Sequence, residues 1–181
     1  MTERWFFALW PDRAARDALI AAAANTIPPD TRPAHPHDWH LTLVFLGPLS
    51  PEGLETAVAV ADRLSAAPVP IRIDRAGWFA RSRALWCGPA VPSPALLELQ
   101  SHLARALESA GLPAERRPYR AHLTLARQAR RPPARDWERP VEWIARELIL
   151  ARGVTGRVPR YAPWRRWPLA GGYDGSGLAV R

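Results

Sequence analysis

His40-Leu41-Thr42-Leu43-Val44-Phe45-Leu46-Gly47 and His122-Leu123-Thr124-Leu125-Ala126-Arg127 open on the same tetrapeptide. Side chains of a β-strand alternate between faces with period two. In each copy histidine and threonine therefore share one face, and the two leucines turn to the other, into a core. By composition a given histidine is followed by Leu-Thr-Leu on the order of once in a thousand times, so the repeat is not accidental. Duplication of a packing strand would account for the leucines. It would not account for a retained imidazole and hydroxyl.

Working outward, strands and helices alternate. Arg4 to Trp10, RWFFALW, reads as a buried strand stopped by Pro11, and Asp12 caps a helix to about Thr26. A proline-rich loop over residues 28–36 leads to the first HLTL strand, which ends at Gly47-Pro48. Ser50-Pro51-Glu52 opens a helix to about Ala66. Val69 to Phe79 and Ala84 to Cys87 form a hairpin around Arg81-Ser82-Arg83. Leu96, Leu99, Leu103 and Leu107 stripe a helix that starts after Pro92-Ser93-Pro94 and ends at Gly111.

An arginine-rich loop from Glu115 to Arg120 precedes the second HLTL strand. Residues 128–140, rich in proline and arginine, read as irregular. Val141 to Arg152 carries one strand, and Arg160 to Leu169 forms a last, edge strand that tolerates its prolines. These elements predict an α+β fold: bilobal, two similar lobes each with an antiparallel sheet and helices, and a groove between them. Residues 1–170 read as a single domain and 171–181 as a flexible tail.

The 181 residues include 25 basic ones, all arginine, and carry a formal net charge of +8. Lysine-free composition is a genome-level bias, but the excess charge favours a polyanionic partner, and arginine's fork suits phosphate. A single cysteine, Cys87, excludes an intramolecular disulfide and a cysteine-based zinc cluster. No apolar run is long enough for a membrane span and no leader is evident, so a cytoplasmic monomer without membrane association is expected.

Two histidines can hold one neutral base and one protonated acid together near neutral pH. Threonine hydroxyls donate to phosphoryl oxygens, and an arginine can neutralise charge that builds up on them. Arg127 stands five residues after His122, an odd spacing that requires a bend or bulge to bring it to the histidine's face. His35, His37 and His40 could be read as a metal site. Pro36 inside that motif, and the absence of a repeated acidic or cysteine partner, speak against it.

HLTLVFLG, HLTLAR, RWFFALW, AGWFARSRALW and RYAPWRRWPL together resemble the two-histidine (2H) phosphoesterase superfamily. Within it they are most similar to the RNA 2′,3′-cyclic phosphodiesterases, also described as 2′-5′ RNA ligases, over roughly Arg4 to Leu169. The resemblance implies metal- and cofactor-free opening of a terminal 2′,3′-cyclic phosphate to a 2′-phosphate, on RNA ends or nucleoside 2′,3′-cyclic phosphates. It implies that His40 protonates the departing 3′ oxygen and His122 activates water. Thr42, Thr124 and Arg127 would hold the phosphate, and Phe7, or its neighbour Phe6, would lie beside the base. Alternatives are another small cyclic phosphate, a 2′-5′ oligonucleotide, or a non-catalytic RNA-binding module.

Overall fold

Two antiparallel sheets of matching strand order carry the two HLTL segments. The structure, a computed structural model, describes residues 3–113, 118–130 and 135–171. In chain order the elements are β1 (Arg4–Leu9), α1 (Arg13–Ala23), β2 (Arg32–Pro33), β3 (Leu41–Gly47), α2 (Pro51–Asp62), β4 (Val69–Phe79) and β5 (Ala84–Gly88). They continue with α3 (Pro94–Ser109), β6 (Leu123–Arg127), β7 (Arg135–Ala145), β8 (Glu147–Gly153) and β9 (Tyr161–Pro168).

The first sheet has the order β3-β1-β8-β9 and the second β2-β6-β5-β4-β7. With β2 set aside, β3 corresponds to β6, β1 to β5, β8 to β4 and β9 to β7. The strand–helix–strand unit β1-α1-β3 is thereby repeated as β5-α3-β6. This is the α+β duplication that the repeated tetrapeptide predicts.

Helix α3 ties the halves together. Its Leu96, Leu99, Leu103 and Leu107 are all buried, each worth about 1.5–3 kcal/mol of apolar transfer. They pack in one core that includes Leu41 and Leu43 from the first sheet and Leu123 and Ile73 from the second. Ser93 caps the helix by accepting the Leu96 N–H. At the other end the chain turns at Gly111, in the left-handed region at φ +80°, and the Leu112 N–H returns to the Leu107 carbonyl at 3.0 Å.

Three expectations need correction. Residues 135–140 are not irregular, because they extend β7 along β4, with Arg75 opposite Asp136. Pro140 is accommodated because β7 is an edge strand. Val141 to Arg152 is not one strand but the end of β7 and the whole of β8, which belong to different sheets. The burial pattern marks the break: Val141, Trp143 and Ala145 are buried in alternation with exposed residues, whereas Leu148 to Ala151 are all buried. The loop over 28–36 contains β2 and enters a 3₁₀ turn at Pro36–Asp38.

Of the segment read as a tail, Gly171 still donates its N–H to the Ala66 carbonyl at 3.1 Å. Residues 172–181 lie outside the described residues, as do Arg116 and Arg117. Among the described residues no helix is long and apolar enough to cross a membrane.

Candidate active site

Each histidine sits immediately before its strand, with its ring fixed by the residue two positions earlier. His40 Nδ1 lies 2.6 Å from the Asp38 carbonyl, and His122 Nδ1 lies 2.7 Å from the Arg120 carbonyl. A carbonyl only accepts, so Nδ1 carries the proton in both rings, and Nε2 of the neutral imidazole is left with its lone pair. The two halves therefore prepare their histidines identically, and both carry a half-buried threonine two residues on.

Each motif strand then bulges at the same place. In the β1–β3 ladder Ala8 faces Thr42 and Phe7 faces Val44, so Leu43 is skipped. In the β5–β6 ladder Trp86 faces Thr124 and Leu85 faces Ala126, so Leu125 is skipped. An extra residue in one strand resets the alternation of its side chains. The carbonyls of the skipped residues find other donors: Gln100 Nε2 at 3.4 Å for Leu43 and the Ala34 N–H at 2.8 Å for Leu125.

The Leu125 bulge is the irregularity that the spacing of Arg127 demanded. It returns Arg127 to the face of His122 and Thr124. The charge of Arg127 accordingly disfavours protonation of both histidines, and that of His122 disfavours protonation of His40. Burial is the larger cause in each case. It pushes His40 down to about 4 and lowers His122, while the carbonyl bonds at Nδ1 oppose the shift. Both rings therefore favour the neutral form more strongly than a free imidazole does.

Phe7 does not belong to this site. It is 0 % exposed and packs against Trp167 in the core, because it sits at an odd step from Phe6 along β1. Phe6 is the one on the histidine's face, stacked on His40 at a centroid distance of 4.8 Å. Trp10 stacks on His40 at 4.6 Å and Tyr161 meets its ring edge-on at 4.8 Å. On the other half, Phe79 meets His122 edge-on at 4.8 Å and stacks on Trp86.

Trp86, opposite Thr124 in the β5–β6 ladder, shares its face. Trp78 donates to the Ala129 carbonyl, Trp167 donates to Asp62, and Trp164 packs against Trp5.

Sequence reasoning also missed Asp38, the one buried charged residue among those described, at 6 % exposure. Its carboxylate accepts the Arg160 and Tyr161 backbone N–H groups, each at 3.0 Å, bonds worth about 1.5–3 kcal/mol for a charged acceptor. Asp38 thus ties the turn that orients His40 to the start of β9, which carries Tyr161. The signal was present in the spacing Asp-x-His, but it has no partner in the second motif, where Arg120 takes the equivalent place. His35 and His37 serve the same turn, His35 Nδ1 accepting the His37 N–H at 3.2 Å. Among the described residues no group of three histidine, cysteine or acidic side chains could hold a metal ion.

Gly77 lies beneath the Trp86 indole, and a Cβ there would overlap that ring. Gly77→Ala is expected to cost about 1–3 kcal/mol of stability and to lower turnover by displacing Trp86, Phe79 and, through them, His122. Thermal melts and initial rates on the purified variant check this, and unchanged values in both would separate the stack from His122.

Two oriented imidazoles, two hydroxyls and a guanidinium on the motif strands have between them the groups that proton exchange and hydrogen bonding with a phosphoryl group require. The comparisons agree with that class. Residues 10–156 match the model of the 2′-5′ RNA ligase superfamily, and the chain belongs to that family. It is 33% identical to an RNA 2′,3′-cyclic phosphodiesterase of Escherichia coli (strain K12), over 92% of this chain and 97% of that one. It is 31% identical to a protein of the same name from Thermus thermophilus, over 93% and 91%. Among solved structures, E. coli LigT complexed with 3′-AMP superposes with a TM-score of 0.84 at 29% identity, covering 93% of this chain and 99% of that one.

Proposed function

We propose that the protein opens the terminal 2′,3′-cyclic phosphate of RNA, or of a nucleoside, to a 2′-phosphate by paired histidine acid–base catalysis. The observation that carries this reading is the identical preparation of His40 and His122, each ring held at Nδ1 by the carbonyl two residues before it. The relatives named RNA 2′,3′-cyclic phosphodiesterase support it independently.

The phosphate lies in a groove between the two sheets, its non-bridging oxygens taken by Thr42, Thr124 and Arg127. His122 Nε2 removes a proton from water as the water attacks phosphorus. The P–O3′ bond breaks in line, and His40 Nε2–H protonates the departing oxygen, leaving the phosphate on O2′. The proton balance returns when the two histidines exchange protons with solvent. With a 5′-hydroxyl in place of water, His122 would take that hydroxyl's proton as its oxygen attacks phosphorus, the P–O3′ bond would break with His40 protonating O3′, and a 2′-5′ phosphodiester would result, so one groove serves both cyclic-phosphate opening and 2′-5′ ligation.

The depressed basicity of both histidines sets the pH dependence. A lowered pKa means the proton leaves at lower pH, so the singly protonated pair of the free enzyme is populated on the acid side of about 6.5. The bell of kcat/KM is therefore expected to centre below about 6.5, whichever histidine bears the proton. A bound phosphodiester anion favours imidazolium, so the kcat profile should sit at higher pH than that of kcat/KM. The test is turnover of adenosine 2′,3′-cyclic phosphate by purified protein in chelator across this range. No product above background would refute the activity, and a single-limbed profile would refute the paired mechanism.

A further inference from the structure

Among the described residues β2 is the strand that the duplication leaves without a counterpart, and it extends the second sheet beyond β6. It is two residues long and pairs with the end of the second motif strand. Arg32 faces Arg127 and Pro33 faces Ala126, and the Ala34 N–H prolongs the pairing by donating to the Leu125 carbonyl at 2.8 Å. Directly opposed residues of a ladder share a face. Arg32 therefore stands with Arg127, on the face of His122 and Thr124.

Like charges directly opposite one another weaken a ladder. Among the described residues no carboxylate pairs with either arginine. The nearest in sequence, Asp30, is taken by Arg130 at 3.7 Å. Two opposed guanidinium groups without acidic partners suit a ligand with more than one phosphate. Arg127 is half-buried and Arg32 is exposed, so the pair offers an inner and an outer position. With opposed Cα atoms about 4.5–5.5 Å apart, the two side chains can reach phosphates joined by a single ribose. Positive charge continues at this end of the sheet. The β4–β5 turn, with its exposed Arg81 and Arg83, is tied to the end of β6 by the Ala129 N–H, which donates to the Arg83 carbonyl at 3.0 Å.

We propose that Arg32 binds the phosphodiester on the 5′ side of the terminal nucleotide, next to the cyclic phosphate at Arg127, so that β2 makes the site selective for RNA ends over single nucleosides. The proposal rests on the reading of the site as one for a 2′,3′-cyclic phosphate. It also gives the RNA a direction, since the chain leaves the groove over β2 at the outer edge of the second sheet.

The experiment measures kcat/KM for adenylyl-(3′→5′)-adenosine 2′,3′-cyclic phosphate and for the same dinucleotide with an uncharged methylphosphonate as its internal linkage. Wild type should prefer the charged linkage about tenfold, the lower end for a hydrogen bond to a charged group. Arg32→Ala should bring that ratio close to one through KM, and Arg32→Lys, which keeps the charge and loses the fork, should hold part of it. For the charged dinucleotide Arg32→Ala should also flatten the dependence of log kcat/KM on log salt concentration by about 0.7. A wild type without the preference overturns the proposal, as does a ratio that Arg32→Ala leaves unchanged or that Arg32→Lys loses as fully as Arg32→Ala.

Calorimetric binding of adenylyl-(3′→5′)-adenosine 2′-phosphate, with either internal linkage, separates this proposal from the proposed activity. If no cyclic phosphate turns over, the hydrolase reading fails. Linkage-dependent affinity that Arg32→Ala abolishes would still sustain Arg32 as a backbone site, and linkage-independent affinity would remove it.

Discussion

Replacing either His40 or His122 by alanine lowers turnover of a nucleoside 2′,3′-cyclic phosphate by about 10²–10⁴-fold, the usual worth of a general acid or base. The double variant loses much less than the product of the two, because residues acting as a unit are not additive. Both rings lie at strand entrances rather than in the leucine core, so the variants should fold, as far-ultraviolet circular dichroism and thermal melts would report. The two losses are distinguished by the leaving group. A substrate with sulfur in place of O3′ needs little protonation as the bond breaks, so it should restore much of the rate to His40→Ala and none to His122→Ala. Rescue of the opposite variant would exchange the roles of the two histidines. Near-normal rates in either would end the paired mechanism.

Arg127→Ala is expected to lose about 10²–10³-fold in turnover, the scale of removing one donor from developing phosphoryl charge. Arg127→Lys should recover only part of it, because an ammonium is a point charge where the guanidinium is a fork. A second readout follows from electrostatics. The Arg127 cation holds down the basicity of both histidines, so its removal should move the kcat/KM profile to higher pH. Burial, the larger cause, remains, and the bell should still centre below that of free histidine. A rate loss without any movement of the profile would place Arg127 away from the two imidazoles.

The duplicated fold and the histidine–threonine pairs were legible because strand alternation is a local property of the sequence. HLTL states which side chains share a face without reference to the rest of the chain. What escaped was non-local. The change of sheet at Arg146 depends on which strands β7 and β8 find as neighbours, and only the change from alternating to continuous apolar residues hints at it. The proline- and arginine-rich residues 135–140 become strand because β4 offers them a partner. Phe7 and Phe6 have equal claims by composition, and the register of β1 against β3 separates them.

Asp38 illustrates the same limit. Its partners Arg160 and Tyr161 are more than a hundred residues away, and no periodicity announces them. Arg127 was half legible, since its spacing demanded a bulge that the sequence does not mark.

The central claim is that one phosphate sits between two histidines and opens by expulsion of O3′. Its most direct test is the identity of the product formed from adenosine 2′,3′-cyclic phosphate in chelator, read by phosphorus NMR against authentic 2′- and 3′-monophosphates. The 2′-monophosphate alone is the expected product, lost together with activity in His40→Ala. Appearance of the 3′-monophosphate, or a mixture of the two, would contradict the placement of O3′ on the His40 side.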